Sequence, residues 1–206
     1  MMKRITMILA AALVALAAVY AEPASKEVRS ARREAAAAAR TLKRGGYKPL
    51  ELGNLESRLE GYFLKVNAGC PQIVGTADNC LSTNLAKVTA LSNAANEYAM
   101  LAGGEVRGRI VGSTSSLTGQ QIDNIVSSFE RLVEKEIRGE LVPYVTAVRD
   151  HRGRVSARVY CIVDADEASR LRRRAMELAL EEQALAQKYG SCVSEWIDEG
   201  FAKAEE

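Results

Sequence analysis

The sequence contains a single histidine, His151, and no set of residues that is arranged for catalysis. Zinc sites usually combine two close pairs of Cys or His ligands. The four cysteines are too widely and irregularly spaced for such pairs: Cys70, Cys80, Cys161 and Cys192. His151 lies in a predicted turn, where no partner orients it as a general base. The sequence therefore predicts no catalytic, metal or cofactor site, and a protein that is not an enzyme.

The chain also lacks an excess of charge of one sign. It has 28 basic and 26 acidic residues, and two of the basic ones, Lys3 and Arg4, lie in the first 21 residues. The remainder is therefore neutral overall. A neutral protein has no global field that draws it onto nucleic acid or anionic lipid, so no nucleic-acid partner is expected and such binding would need a local patch.

Only one long apolar run is present, and it lies at the N-terminus. Lys3 and Arg4 precede an apolar stretch at residues 5–19, and small residues fit signal-peptidase cleavage after Ala21. The run is shorter than the roughly 20 residues of a membrane span, although an uncleaved membrane helix is the alternative. No cysteine follows it that could carry a lipid. We expect a signal peptide, no transmembrane anchor, and release of residues 22–206 to the periplasm or outside the cell.

An alanine-rich helical extension is predicted at residues 22–46. Residues 25–44 are mostly Ala, Arg, Lys and Glu, and the run stops at Gly45-Gly46, a typical helix end. Because its apolar side chains are almost all alanine, this helix buries little area, and we expect it to pack loosely or fray. A second, amphipathic helix is predicted at residues 55–66.

The rest of the chain predicts a single α+β domain over residues 47–206. After the two leading helices, the order is strand, helix, strand, helix, strand, strand, helix. The predicted strands are residues 72–76, 105–113, 141–149 and 154–164, and the helices between and after them are residues 82–101, 118–139 and a last one from Asp164 or Asp166 toward Gly190. Thr118 and Gln121 form a capping box. We expect a small mixed sheet, covered by long helices on one face and mostly wet on the other.

Two disulfides are expected, because all four cysteines lie in the exported part of the chain and the compartment outside the inner membrane is oxidising. Four cysteines allow three pairings, and nearest neighbours would join Cys70 to Cys80 and Cys161 to Cys192. A helix joining two strands makes them parallel, and the hairpin reverses the last strand. This order places Cys70 near Cys161 and Cys80 near Cys192, and we favour those two bonds.

Four arginines stand in the first turns of the last helix, where positive charge opposes the helix dipole: Arg170, Arg172, Arg173 and Arg174. A contact with phosphate or an acidic partner is one interpretation. The favoured one is compensation by the acidic residues that precede and follow them at helical spacing.

Residues 42–182 resemble an exported bacterial family of uncharacterised function, related to the twenty-kilodalton surface-lipoprotein domain. The resemblance is carried by Gly46-Tyr47-Lys48-Pro49, Leu55, Leu59, Val74-Gly75, Ala86, Ala90, Ala94, Ala95, Leu101-Ala102-Gly103-Gly104, Val142-Pro143, Arg149-Asp150 and Ala157-Arg158-Val159-Tyr160. It implies an α+β fold and an envelope setting, and no reaction. The chain departs from the lipoproteins by lacking an acylated cysteine and by carrying four cysteines that the pattern does not require.

We therefore expect a non-enzymatic cell-envelope protein that acts as a structural or interaction module, with envelope proteins as partners. The alternative is a periplasmic small-ligand binder that uses a groove between the sheet and the long helices. The first helix and the tail bearing Trp196, Ile197 and Phe201 are the expected surfaces for a partner or for self-association.

Overall fold

The computed structural model describes residues 25–113 and 117–185, and over these residues the chain is an α+β protein. The elements are α1 (Lys26–Arg44), β1 (Lys48–Pro49), α2 (Leu55–Asn67), β2 (Ile73–Cys80), α3 (Thr83–Ser113), α4 (Gly119–Glu140), β3 (Val142–His151), β4 (Arg154–Ile162) and α5 (Ala165–Glu182). The predicted signal peptide, the tail bearing Trp196 and the last cysteine, Cys192, lie outside the described residues.

Local capping signals set the starts of the helices. Thr118 accepts from the backbone N–H of Gln121, whose side chain accepts in return from the N–H of Thr118, so the predicted capping box is confirmed. Asp164 caps α5 by accepting from two backbone N–H groups in its first turn. Asn54 caps α2 by accepting from the backbone N–H of Glu56. These contacts satisfy donors that the helix itself leaves unpaired.

The sheet is antiparallel throughout, in the order β1-β3-β4-β2. The predicted mixed sheet is wrong because residues 105–113 are not a strand but the second half of α3. Val106 and Ile110 alternate with glycines, a pattern that fits a strand, yet they also continue the buried stripe of Tyr98 and Ala102 at four-residue spacing. With that strand removed, two helices connect β2 to the hairpin, and β2 runs opposite to β4.

Helices cover both faces of the sheet, and so the prediction of one wet face is wrong. Alternate residues of β4, including Val159 and Cys161, belong to a core cluster with α3, α4 and α5. Tyr160 and Ile162, which point the other way, belong to a second cluster with α1 and α2. Period-two alternation assigns each set to its face. The molecule therefore has three layers, with the sheet in the middle.

The first helix packs closely, where loose packing was expected. Ala31, Ala35 and Ala39 are at most 1 % exposed and belong to the cluster that α2 shares with the sheet. The short alanine side chains allow α1 to approach α2, and Arg32 of α1 pairs with Glu60 of α2 at 2.8 Å. The opposite side of α1 faces outward.

The β3–β4 hairpin forms as predicted, but its turn is shorter. Arg152 and Gly153 both have positive φ angles, 55° and 73°, and they alone connect the strands. This two-residue geometry matches the right-handed twist of a hairpin. His151 consequently pairs with Arg154 as the last residue of β3 and is not a turn residue.

Both edges of the sheet carry features that hinder the addition of a further strand. On one side, β1 has only two residues, and one of them is Pro49. On the other side, the Tyr62 hydroxyl accepts from the N–H of Ile73 at 3.0 Å and donates to its carbonyl at 3.3 Å. The Asn93 side-chain amide donates to the Thr76 carbonyl at 2.7 Å. These groups occupy backbone positions along β2 that an incoming strand would use.

The favoured bond between Cys70 and Cys161 is not supported by the structure, in which Cys70, Cys80 and Cys161 are free thiols. The two do lie toward the same end of the sheet, since Cys161 pairs with Ile73. Cys161 is buried in the cluster with α3, however, whereas Cys70 packs on the α1–α2 cluster. The sheet separates them. The second bond, from Cys80 to Cys192, stays a prediction because Cys192 lies outside the described residues.

Candidate binding groove

A groove opens at the end of the sheet where β2 begins. It lies between the segment just before β2, the middle of α3 and the first turns of α5, and it encloses a cavity of about 380 Å³. Its lining consists of Gly69, Pro71, Gln72, Tyr98, Leu101, Ala102, Glu105, Ala165, Ser169 and Arg172. Three parts of the chain that are distant in sequence thus meet at one site.

Helical spacing places the polar side chains in the groove. Tyr98 and Glu105 lie seven residues apart on α3, and residues at that spacing share one side of a helix. On α5, Ser169 and Arg172 follow Ala165 at four and seven residues. The Asp164 cap fixes where α5 starts, and hence where this row of side chains lies.

The groove contains a charged pair in which the cation is largely desolvated. The Arg172 side chain is 14 % exposed, and its Nη1 lies 3.4 Å from Oε2 of Glu105, whose side chain is 43 % exposed. Charge-assisted hydrogen bonds of this kind are normally 2.7–2.9 Å long. The pair is therefore a loose one and holds two opposite charges side by side at the groove.

Tyr98 adds a neutral hydroxyl behind this pair. The residue is 6 % exposed, and its hydroxyl has no hydrogen-bond partner among the described protein groups. Burial raises the pKa of Tyr98; the Arg172 charge opposes this rise and Glu105 adds to it. The phenol stays protonated and can act as a donor at neutral pH.

A second cavity of about 340 Å³ adjoins the first and shares Gln72, Tyr98 and Leu101 with it. Glu97 lines this second cavity, so a further carboxylate stands on the same side of α3. Leu101 is 61 % exposed and, together with Pro71, gives the groove an apolar wall. Among the described residues, the two cavities combine the Arg172 guanidinium, the carboxylates of Glu97 and Glu105, and an aliphatic surface.

The candidate residues of the sequence are not brought into this groove, apart from Arg172. His151 lies at the opposite end of the sheet, beside Arg149 and Arg154 around a shallow cavity of about 510 Å³. Arg172 belongs to the predicted arginine cluster, and its carboxylate contact is Glu105, which is 67 residues away, not a neighbour on its own helix. Local compensation does hold for Arg170, which pairs with Glu167.

Sequence reasoning missed Tyr98 and Glu105. Tyr98 lies within the helix predicted at residues 82–101, but a hydroxyl without a partner among the described groups gives no sequence signal. Glu105 was assigned to a strand. The available signal was the seven-residue spacing of two polar groups on an alanine-rich helix.

The described part of the chain holds neither a cluster of metal ligands nor a helix that could span a membrane. No group of three or more His, Cys, Asp or Glu side chains within residues 25–113 and 117–185 is placed to hold a metal ion. Over the same ranges, no helix is both long enough and apolar enough to cross a bilayer.

Comparisons with protein-family models, with curated proteins and with solved structures find no match to this chain. The resemblance to the surface-lipoprotein family therefore stays an expectation from sequence.

Proposed function

We propose that this chain is an exported, non-enzymatic binding protein of the cell envelope, and that its groove takes a small dipolar ligand. Export is supported by the charged and apolar N-terminal residues with a small-residue cleavage pattern. Binding is supported by the groove, which lies between the sheet and the long helices and collects polar groups from α3 and α5. This geometry favours the small-ligand alternative over a purely structural role.

The loose pair of Arg172 and Glu105 carries the ligand assignment. A ligand with only a carboxylate would be attracted by Arg172 but repelled by Glu105. A ligand with only an ammonium group would be attracted by Glu105 but repelled by Arg172. A ligand with both groups satisfies both side chains. Glu97 in the adjoining cavity adds to the preference for an ammonium group.

Size and polarity narrow the class to free amino acids with aliphatic side chains. The cavity of about 380 Å³ holds a molecule of that size with room for a few waters. Leu101, Pro71 and Ala102 provide apolar contacts for the side chain of such a ligand. The proposed orientation places the carboxylate toward Arg172 and the ammonium toward Glu105.

Calorimetric titration of the purified protein tests this assignment. L-leucine is the probe, N-acetyl-L-leucine lacks its ammonium group, and L-leucinamide lacks its carboxylate. We expect saturable binding of leucine and at least tenfold weaker binding of both analogues, because each leaves one charged side chain unmatched. Absence of saturable binding by all twenty standard amino acids, or equal binding of the analogues, contradicts the proposal.

Variants locate the site. Arg172→Gln and Glu105→Gln are expected to weaken leucine binding about tenfold or more, since each removes a charge-assisted contact. Arg170→Gln is the matched control, because Arg170 stands on the same helix but pairs with Glu167 and does not line the groove. A loss of affinity in the control equal to that in Arg172→Gln contradicts the assigned site.

The non-enzymatic part of the proposal has its own test. We expect no turnover when the protein is incubated with panels of hydrolase and transferase substrates. Turnover that one point substitution abolishes contradicts it.

A further inference from the structure

The two outer layers of the molecule differ in charge. Residues 25–68, which include α1 and α2, carry ten basic and five acidic side chains. The described residues that follow, 69–113 and 117–185, carry 14 basic and 15 acidic side chains and are therefore nearly balanced. Among the described residues, the basic excess is therefore concentrated in the layer that α1 and α2 form.

Within the basic layer, the charges are concentrated on one side of α1. We call this side the basic face, and it consists of Lys26, Arg29, Arg33, Arg40, Lys43 and Arg44, all exposed. At 3.6 residues per turn these six positions fall within an arc of about 100°. The acidic residues of the helix, Glu27 and Glu34, lie on the flank beyond it.

The basic face points away from the protein. The buried stripe of α1 is formed by Ala31, Ala35, Ala39 and Leu42, which pack toward α2 and the sheet. Arg32, at the margin of this face, pairs with Glu60 of α2. The helix of 19 residues presents the basic face along about 28 Å, at 1.5 Å per residue.

We propose that the basic face docks the protein onto the anionic lipid headgroups of a membrane surface. The first turns of α1 line an open cavity of about 620 Å³, bounded by Lys26, Arg29, Arg32 and Arg33, where a phosphate headgroup would meet several cations at once. Five of the seven basic residues of α1 are arginines, whose planar guanidinium matches phosphate oxygens.

Vesicle sedimentation tests this inference. The probes are vesicles of phosphatidylcholine alone and vesicles of equal parts phosphatidylglycerol and phosphatidylcholine. We expect binding to the anionic vesicles only, and its loss as salt is raised. Each basic residue near such a surface contributes about fivefold in affinity. The triple variant Lys26→Glu, Arg33→Glu, Arg40→Glu is therefore expected to bind about a hundredfold more weakly or worse.

A control variant with the same net charge separates the face from charge alone. Lys87→Glu, Lys135→Glu and Arg174→Glu change one residue on each of α3, α4 and α5, in the opposite layer. This control is expected to retain most of the binding, and circular dichroism checks that both variants keep their helices. Equal loss in both variants, binding to phosphatidylcholine alone, or tighter binding to duplex DNA than to anionic vesicles overturns the proposal. Leucine binding in the groove is expected to be unchanged in the face variant.

Discussion

Replacing Gly75 by alanine should separate β2 from α3. Gly75 is buried where the edge strand crosses the helix, and a methyl group built on it would stand 2.7 Å from Cβ of Ala94 and 2.8 Å from the carbonyl carbon of Ala90. The carbonyl oxygen of Ala90 would be closer still. Carbon atoms in packed interiors normally lie 3.5–4.0 Å apart. The strand and helix would therefore have to move apart by about 1 Å or more.

The cost of this movement is large because the obstacle is helix backbone. A flexible side chain could rotate away, but the carbonyl of Ala90 is held in the hydrogen-bond ladder of α3. Overpacking typically costs 1–3 kcal/mol and occasionally more. We expect Gly75→Ala to lower the free energy of unfolding by about 3 kcal/mol, which is a large part of the 5–15 kcal/mol of an ordinary domain. The corresponding fall in Tm is about 6–12 °C.

Urea unfolding followed by circular dichroism measures this change, and Gly108→Ala is the matched control. Gly108 lies on α3 with no atom within 4 Å of a built methyl group. Alanine there is expected to raise the free energy of unfolding by about 1 kcal/mol, since glycine is a poor helix former. If Gly75→Ala changes stability by less than about 0.5 kcal/mol, the packing of β2 on α3 is refuted. If Gly108→Ala destabilises the protein, residues 105–113 are not helical.

Three further changes test other parts of the structure. Thr146 is fully buried and its hydroxyl has no partner among the described groups, so Thr146→Val is expected to raise the free energy of unfolding by about 1 kcal/mol in urea titrations. Ser156→Ala should lower it, because the Ser156 hydroxyl accepts a hydrogen bond. Burial raises the pKa of Cys161 to about 12. The pKa of the thiol in the unfolded chain is near 8.5, so the contribution of the buried thiol to stability is fully present below about pH 8.5. Above that pH the free energy of unfolding falls by up to about 1.4 kcal/mol per pH unit. Cys161→Val should flatten this slope. Non-reducing peptide mapping should find Cys161 unlinked; a fragment joining Cys80 to Cys192 would confirm the remaining predicted bond.

Elements with strong local signals could be predicted from the sequence. The capping box at Thr118 and the apolar spacing that follows it specify α4. The alternation on β4 and the short turn at Gly153 specify the hairpin. In each case the residues that decide the structure are within a few positions of one another, so no tertiary information is needed.

The second half of α3 could not be predicted in that way. Val106 and Ile110 are compatible with both a strand and a helix, and the glycines before them resemble a helix end. The structure gives Gly103 a different role. It is buried beside the Glu130 side chain of α4, so this glycine lies inside a contact between two helices and does not end α3. Such a role depends on a partner that is distant in sequence.

The groove was beyond sequence reasoning for a related reason. Its position depends on the crossing of α3 and α5, and its charged pair joins Glu105 to Arg172 across 67 residues. Once residues 105–113 were assigned to a strand, Glu105 could not be placed beside α5. The single wrong assignment of residues 105–113 to a strand therefore made both the predicted sheet order and the placement of Glu105 wrong.

The groups that hinder strand addition at both edges of the sheet also affect how this protein behaves when it is concentrated. Open β-strand edges act as templates on which further chains grow into fibrils. Here the hydroxyl of Tyr62 and the amide of Asn93 occupy one edge, and Pro49 interrupts the other. Tyr62→Phe would remove the hydrogen bonds that the N–H and carbonyl of Ile73 make with this hydroxyl while leaving that of Asn93, so part of the protection of β2 against added strands depends on one oxygen atom.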